Sequence, residues 1–249
     1  MPNQALLDKL SQLYLHGFIA GLAEQQQSSS YAALSFEERL GLLVERECLR
    51  RDNNRLQRAL HAAHFPQPAS IEELDLSPAR GLERSLVLEL ASAEWVHRHL
   101  NAIVLGATGA GKTFLACALG QAACRQGLSV RYERTSRLLQ AVRLAQADGS
   151  YAKLLDSLAR VQLLILDDWL RDPLTVAQAR ELLEVLDDRY GRTSTLVATQ
   201  VPVDTWLSQL PDPTLADAIL DRLVHNAYRL DLRGESQRKA RSPLAMPTT

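Results

Sequence analysis

The chain has 249 residues, of which 46% are hydrophobic and 23% charged, with a formal net charge of −1. This length is enough for one α/β domain and a small additional domain. Because the net charge is close to zero, no global field would draw the chain to nucleic acid, and any DNA contact must come from a local patch.

The cysteines and the hydropathy pattern exclude several classes of protein. Cys48, Cys117 and Cys124 lack metal-ligand spacing, and their odd number favours a reducing compartment. The opening MPNQALLDKL contains an acid and no continuous apolar core, which argues against a secretion signal. No run approaches the roughly 20 apolar residues of a membrane span. We therefore expect a cytoplasmic protein with no membrane partner.

The N-terminal region is predicted to be helical. Leucines at helical spacing predict a first helix over residues 4–24, followed by a polar connector over 25–30. Ser35 and Glu38 form a capping-box pair at the start of a long second helix. We interpret residues 1–65 as a small helical N-terminal domain.

The second helix carries two different faces. Leu42, Leu49 and Leu56 repeat every seven residues and form one apolar stripe. Roughly the opposite side carries three arginines: Arg51, Arg55 and Arg58. These arginines either belong to an ordinary solvated face balanced by nearby acids, or they contact DNA phosphates.

After a connector over residues 66–80, marked by prolines, helices and strands alternate. Helices are predicted at 82–99, 113–126, 136–147, 151–158, 175–190 and 213–224. Strands are predicted at 102–105, 128–132, 161–166, 195–198 and 227–232. This alternation indicates βαβ units and a parallel sheet.

The strongest motif follows the first of these strands. Residues 106–113 read GATGAGKT and fit G-x-x-x-x-G-K-[ST] at every fixed position. Its glycines let the backbone approach a phosphate, and the loop N–H groups and the start of the next helix attract anions. Lys112 would neutralise the β- and γ-phosphates of ATP, and the Thr113 hydroxyl would complete a Mg²⁺ shell. A glycine-rich turn that carries Lys-Thr by chance is the alternative. The predicted nucleotide contacts are Gly106, Ala107, Thr108, Gly109, Ala110, Gly111, Lys112 and Thr113.

A second motif ends the apolar strand at 161–166. Asp167 and Asp168 would lie at the carboxyl edge of the sheet, where ligands bind. Asp167 is suited to hold Mg²⁺, and Asp168 to orient or deprotonate the attacking water. An Asp-Asp turn at a strand end is the alternative, but the phosphate loop upstream favours the metal site.

Other polar residues are ambiguous from spacing alone. Thr199 and Gln200 end the next strand and either reach the γ-phosphate and its water or bond the following loop. Arg222 and Arg238 either stabilise transition-state charge, a role that a neighbouring subunit can also supply, or are ordinary surface or ion-pair arginines.

Together these residues resemble the AAA+ ATPases, and within them the IstB-like transposition helper ATPases, with the DnaC-type helicase loaders as close relatives. The likeness covers about residues 34–239. It is carried by the strings ECLRRDNNRLQRALHAAHFP, GATGAGKTFLACALG, LLILDDW, EVLDDRY, LVATQVPVDTW and PTLADAILDRLVHNAYRLDLRGESQRK.

The resemblance assigns roles to the ambiguous residues. It implies that 106–113 is Walker A, that Asp167 and Asp168 form Walker B, and that Thr199 or Gln200 is sensor I. Arg222 falls at the arginine finger and Arg238 at sensor II.

The resemblance also implies an architecture and partners. It implies a P-loop AAA+ fold with a five-stranded parallel sheet, which we place over residues 81–240 after the helical N-terminal domain. We expect residues 241–249 to form a flexible tail. It further implies ATP-dependent self-association on duplex DNA and recruitment of a transposase.

This sequence departs from the AAA+ pattern at two positions. Asp168 stands where glutamate is usual, and Leu170 where glycine is usual. The shorter acid and the altered turn lead us to expect slow ATP hydrolysis, suited to a switch. A helicase loader and a nucleotide-dependent module without useful hydrolysis remain alternative functions. A small-molecule kinase is disfavoured because no acceptor-binding lid is visible.

Overall fold

The computed structural model describes residues 4–234, and the chain divides into two units. Unit 1 ends at Arg58 and unit 2 begins at Ala59. The predicted tail at 241–249 lies outside the described residues. None of the described helices combines the length and the apolar character needed to cross a membrane.

Unit 1 is built from helices. They are α1 (Gln4–Gln12), α2 (His16–Gln27) and the part of α3 (Phe36–Ala62) that precedes Ala59, with a 3-10 turn at Ser29–Ala33. The capping box of α3 is confirmed. The Ser35 N–H donates to Glu38 Oε2 at 2.7 Å, and the Glu38 N–H donates to Ser35 Oγ at 3.2 Å.

The predicted single helix over residues 4–24 is wrong, because the helix is interrupted between α1 and α2. Tyr14 has a φ of 57°, in the left-handed region, and the Leu15 N–H closes the end of α1 on the Leu10 carbonyl at 2.8 Å. The leucine spacing continues across this break, so periodicity did not reveal it. The polar connector predicted at 25–30 is also too long, since α2 extends to Gln27.

Helices α2 and α3 contact each other through glycine rather than through the leucine stripe. A Cβ on Gly17 would lie 2.7 Å from the Glu47 Cα, and one on Gly21 would lie 2.5 Å from the Leu43 Cδ2. Leu43 and Glu47 are accordingly the buried residues of α3. The seven-residue stripe is therefore not the core face, and two of its members are 41% and 58% exposed: Leu42 and Leu49.

The main feature of unit 2 is a parallel sheet with strand order β2-β3-β4-β1-β5. Within the described residues it contains β1 (Asn101–Gly106), β2 (Val130–Arg134), β3 (Leu163–Trp169), β4 (Ser194–Thr199) and β5 (Ala227–Leu232). The five-stranded parallel sheet is thus confirmed. The structure begins β2 and β3 two residues later than predicted and extends β3 through both aspartates.

The helices of unit 2 connect these strands. They are α4 (Arg84–Ala91), α5 (Glu94–His97), α6 (Lys112–Arg125), α7 (Thr135–Asp148), α8 (Tyr151–Arg160), α9 (Val176–Arg189), α10 (Trp206–Gln209) and α11 (Pro213–Val224). The predicted helix over 82–99 is wrong, because Ala93, with a φ of 60°, separates α4 from α5. Sequence reasoning also missed α10, which is a single turn.

Helices cover both faces of the sheet, which explains the uninterrupted apolar run of β3. Leu164 and Leu166 belong to the cluster formed with α7, α8, α9 and α11. Ile165 points to the opposite face and meets α6, where a Cβ on Gly120 would lie 2.7 Å from the Ile165 Cδ1. The close approach of α6 therefore requires glycine at that position.

The three cysteines differ in exposure. Cys117 and Cys124 are buried on α6, as expected of small apolar side chains, whereas Cys48 on α3 is exposed. Burial raises the pKa of Cys117 to about 12 and that of Cys124 to about 11.

A buried arginine joins the end of α9 to the strands beside it. The Arg189 guanidinium donates to the carbonyls of Leu158, Val161 and Ser194 and to the Thr195 hydroxyl. Burial lowers the pKa of Arg189 to about 9, which leaves the side chain charged at neutral pH. This one side chain satisfies several buried carbonyls at the end of α8 and the start of β4.

We expect Arg189→Met to lower the free energy of unfolding by about 3 kcal/mol, because these carbonyls lose a charged donor while buried. Urea unfolding followed by circular dichroism measures the loss. The control is Arg180→Met, an exposed position on the same helix, which should change stability by less than about 0.5 kcal/mol. An Arg189→Met chain as stable as the wild type would contradict this account of the buried arginine.

Candidate functional site

A cleft of about 700 Å³ opens at the carboxyl edge of the sheet in unit 2. The strand ends that border it lie level, because Leu105 of β1 pairs with Thr199 of β4, which pairs with Trp169 of β3. The cleft is lined by residues of the phosphate loop (106–113) and by Asp167, Asp168 and Gln200. Residues far apart in the sequence therefore face one cavity.

The phosphate loop has the conformation that its glycines predict. Gly109 and Gly111 have φ values of 82° and 101°, in the region where a side chain would be strained. A Cβ on Gly106 would lie 2.7 Å from the Leu232 carbonyl oxygen of the neighbouring strand.

Helix α6 begins at Lys112, so its N-terminal amide groups face the cleft. Lys112 Nζ donates to the Ala107 carbonyl at 3.0 Å.

The loop meets the end of β3 through a hydrogen bond. The Thr113 hydroxyl donates to Asp167 Oδ2 at 2.7 Å, and the Asp168 N–H donates to Asp167 Oδ1 at 2.8 Å. Asp167 is only 2% exposed. A fixed carboxylate next to a hydroxyl is the oxygen donor set that suits Mg²⁺ in a phosphate-binding site.

The described residues fit a metal held jointly with phosphate rather than by protein alone. Residues 4–234 contain no cluster of three acidic, histidine or cysteine side chains that could hold an ion. Mg²⁺ commonly uses one or two protein ligands and completes its shell with water and substrate phosphates. Thr113 and Asp167 are the residues that would hold it here.

A tyrosine that the sequence analysis did not single out completes the Asp167 environment. The Tyr132 hydroxyl donates to Asp167 Oδ2 at 2.6 Å. Burial, together with the hydrogen bond to Asp167, raises the pKa of Tyr132, so the hydroxyl keeps its proton and acts as the donor. No local pattern marks Tyr132, because its partner lies on another strand.

The backbone around Asp168 is irregular, and this irregularity sets the direction of its side chain. The β3–β4 register shifts between Leu166 and Trp169, and Asp168 has a φ of 56°. Its carboxylate accepts from Arg171 Nη1 at 3.0 Å, and Arg171 also pairs with Asp172. Leu170, one of the two departures noted in the sequence, has a φ of 53°, in the left-handed region that glycine adopts without strain.

The two residues at the end of β4 have different surroundings. Gln200 lines the cleft, where its Oε1 accepts from the Thr108 hydroxyl at 2.6 Å. Thr199 is buried, and its hydroxyl donates to the Trp169 carbonyl at 2.8 Å. Of the two, Gln200 is the one placed to reach a ligand of the phosphate loop.

A buried arginine lies behind the phosphate loop, in the segment predicted to be a connector. Arg80 is the last residue of a 3-10 turn (Pro78–Arg80), and its guanidinium donates to the Ala110 carbonyl. The Arg80 carbonyl accepts from the Arg233 N–H at 2.9 Å, just after β5. A Cβ on Gly234 would lie 2.8 Å from Arg80 Nη1. Arg80 therefore ties the loop to the chain that leaves the sheet.

Arg222 lies outside this cleft in the single chain. Its guanidinium pairs with Asp187 of α9, and its Cζ lies 6.0 Å from the centre of the Tyr190 ring. It lines a different, very small cavity, at the end of α11. Arg238 lies outside the described residues.

The predicted DNA-contacting arginines lie on α3, in unit 1. Arg51 donates to Glu47 Oε1 at 2.7 Å, and Arg58 donates to the Asn54 carbonyl at 3.1 Å. Arg55 is exposed. Hydrogen bonding to Arg50, reinforced by Arg51 and the Gly17 N–H, lowers the pKa of Glu47 to about 2. Arg51 is thus partly neutralised by its neighbour, and the DNA contact stays a prediction.

Comparison with known proteins gives consistent matches. The model of a family described as IstB-like ATP binding protein matches residues 8–245. A putative insertion sequence ATP-binding protein of Sinorhizobium fredii is 46% identical over 233 residues, covering 94% of this chain and 95% of its own. The insertion sequence IS21 putative ATP-binding protein of Pseudomonas aeruginosa is 31% identical and covers 94% and 88%.

Solved structures show the same P-loop AAA+ fold. DnaI has a TM-score of 0.57 at 18% identity and covers 71% of this chain and 93% of its own. AMPPCP-bound DnaA from Aquifex aeolicus has a TM-score of 0.58 at 17% identity and covers 74% and 58%. At these identities the likeness concerns the fold alone.

We expect Arg80→Met to weaken ATP binding about tenfold, because the Ala110 peptide loses a charged donor and the loop loses a nearby positive charge. Isothermal titration calorimetry with ATP and Mg²⁺ measures the change. The control is Arg84→Met, an exposed position four residues away, which should bind like the wild type. Equal affinity in Arg80→Met and wild type would show that the loop does not depend on Arg80.

Proposed function

The chain belongs to the family of IstB-like ATP-binding proteins, and from this premise we propose that it is an ATP-dependent switch of insertion-sequence transposition. It assembles on duplex DNA when it binds ATP and Mg²⁺, and it recruits or regulates a transposase. ATP hydrolysis, slow in the free protein and stimulated by assembly and DNA, dissolves the complex. The observation that carries this proposal is the Thr113–Asp167 contact beside Lys112 in one cleft.

The residues of the cleft support separate roles in nucleotide hydrolysis. Lys112 neutralises the β- and γ-phosphates, and Thr113 and Asp167 hold Mg²⁺, which when bound offsets phosphate charge. Asp168 orients the attacking water, and Gln200 assists from the end of β4. Arg238, which lies outside the described residues, is assigned the sensor II role from the sequence resemblance alone.

The surroundings of Asp168 support a slow basal reaction. Its Oδ2 accepts from Arg171 Nη1 at 3.0 Å, so one of the two oxygens that could accept a proton from water is occupied in the single chain. Aspartate is also one methylene shorter than the glutamate usual in AAA+ proteins. A slow reaction suits a timer, because the assembled state persists until hydrolysis ends it.

The position of Arg222 supports a site completed by a second subunit. In the single chain its guanidinium lies on Asp187 rather than in the nucleotide cleft. An arginine supplied by a neighbouring subunit can stabilise transition-state charge. ATP binding would in this way be linked to self-association.

The relatives favour transposition over helicase loading. The proteins that share 46% and 31% identity with this chain carry the words insertion sequence in their names. The likeness to DnaI reflects the shared fold. A pull-down with the full chain, offered a transposase and a replicative helicase, separates the two functions by which one it retains in the presence of ATP.

We expect ATP and Mg²⁺ to tighten binding to duplex DNA about tenfold or more, since assembly multiplies the phosphate contacts. Fluorescence anisotropy with a labelled duplex measures the affinity, which should fall as the salt concentration rises. The Lys112→Ala variant should not bind ATP. Adding ATP should therefore not tighten its binding to DNA. Lys153→Ala, an exposed position on α8, is the matched control.

DNA binding that is equally tight with and without ATP would refute the switch. DNA binding that does not respond to salt would refute the predicted phosphate contacts.

We expect Arg222→Ala and Asp168→Asn each to lose stimulated ATP hydrolysis, and a mixture of the two to recover part of it. In the mixture, the intact cleft of an Arg222→Ala subunit can meet the intact Arg222 of an Asp168→Asn subunit. A phosphate-release assay at several mixing ratios measures the recovery. Activity no greater than the sum of the separate variants would place Arg222 outside the neighbouring site.

A further inference from the structure

Tyr132 occupies an unusual place beside the phosphate loop. It lies in the middle of β2, is 5% exposed, and reaches across to β3. Its hydroxyl and that of Thr113 bind the same oxygen, Asp167 Oδ2, at 2.6 and 2.7 Å. The Asp167 carboxylate is thus held from two sides, by the phosphate loop and by the edge strand.

The backbone of Tyr132 is fixed as firmly as its side chain. Strand β2 is at the edge of the sheet, and its inner side pairs with β3, where Tyr132 lies opposite Ile165. On the outer side, the Tyr132 N–H donates to the Ala63 carbonyl at 2.8 Å. An edge N–H would otherwise face solvent. The hydroxyl is therefore presented to Asp167 from a backbone held on both sides.

We propose that Tyr132 is a positioning residue for Mg²⁺: it fixes the orientation of the Asp167 carboxylate so that the site is formed before MgATP arrives. The inference rests on the proposed function, because it requires Asp167 to hold Mg²⁺. Donors that orient a ligating carboxylate raise metal affinity, and their loss commonly costs about tenfold or more. Without the Tyr132 hydroxyl, Asp167 Oδ2 still accepts from the Thr113 hydroxyl but, among the hydrogen bonds described for residues 4–234, is held from the phosphate-loop side alone.

A positioning role and a purely structural role make different predictions. Replacement by phenylalanine keeps the buried ring and removes one hydroxyl. If Tyr132 acts on Asp167, the loss appears in the part of ATP affinity that depends on Mg²⁺. If Tyr132 only stabilises the sheet, ATP binding with and without Mg²⁺ changes alike.

The experiment compares wild type and Tyr132→Phe by isothermal titration calorimetry with ATP, once in Mg²⁺ and once in EDTA. We expect Tyr132→Phe to bind ATP in EDTA within about twofold of wild type and to bind MgATP about tenfold more weakly. The Mg²⁺ concentration that gives half-maximal ATP binding should rise by a similar factor. Thermal unfolding checks that the variant is folded.

The matched control is Tyr151→Phe. Tyr151 also donates its hydroxyl to a carboxylate, Glu184 Oε2, at 2.5 Å, but this pair lies outside the cleft. The control therefore removes the same kind of hydrogen bond, and its dependence on Mg²⁺ should match that of wild type.

Equal losses in Mg²⁺ and in EDTA, or no loss in either, would overturn the inference and leave the proposed function standing. Wild-type protein that binds ATP no better in Mg²⁺ than in EDTA would remove the metal role of Asp167, and the inference would fail with it.

Discussion

The hydrogen bond between Thr113 and Asp167 is the contact on which the arrangement of the cleft depends. It joins residues that are 54 positions apart, one at the start of α6 and the other at the end of β3. It can form because parallel strands end at the same edge of the sheet, and because β4 pairs there with both β1 and β3. Two neighbouring features keep the contact in place: the phosphate loop has glycine at 106, where a Cβ would lie 2.7 Å from the Leu232 carbonyl oxygen, and both Asp167 carboxylate oxygens accept hydrogen bonds.

Much of this arrangement could be predicted, because it is encoded by neighbours in the sequence. The phosphate loop and the paired aspartates are continuous motifs, and helix α11 has the predicted ends because Pro213 sets its start.

The features that could not be predicted from the sequence depend on residues that are distant along the chain. Tyr132 and Arg80 bond residues on other elements, and the break at Tyr14 leaves the leucine spacing unchanged. The leucine stripe of α3 has the right period, but the fold buries the neighbouring face.

Two charged side chains of the proposed hydrolysis machinery have partners of their own in the single chain. Asp168 pairs with Arg171, and Arg222 pairs with Asp187. Each pair is partly exposed and stabilises the chain only modestly, so neighbouring charges on a second subunit can displace it. In the proposed mechanism, a chain with both pairs intact would bind nucleotide through its own loop but would keep its acid and its arginine apart. On this view, self-association changes which partners these groups have rather than creating the cleft.

Because the three thiols differ in burial, one cysteine of the native chain can be labelled selectively. Cys117 and Cys124 are enclosed by α6 and the sheet, and their high pKa values leave almost no thiolate at neutral pH. Cys48 on α3 is exposed. A maleimide fluorophore added to the native chain would therefore attach at Cys48 alone, without any cysteine having to be removed. The dye would then report on unit 1 while the nucleotide cleft of unit 2 stays chemically untouched.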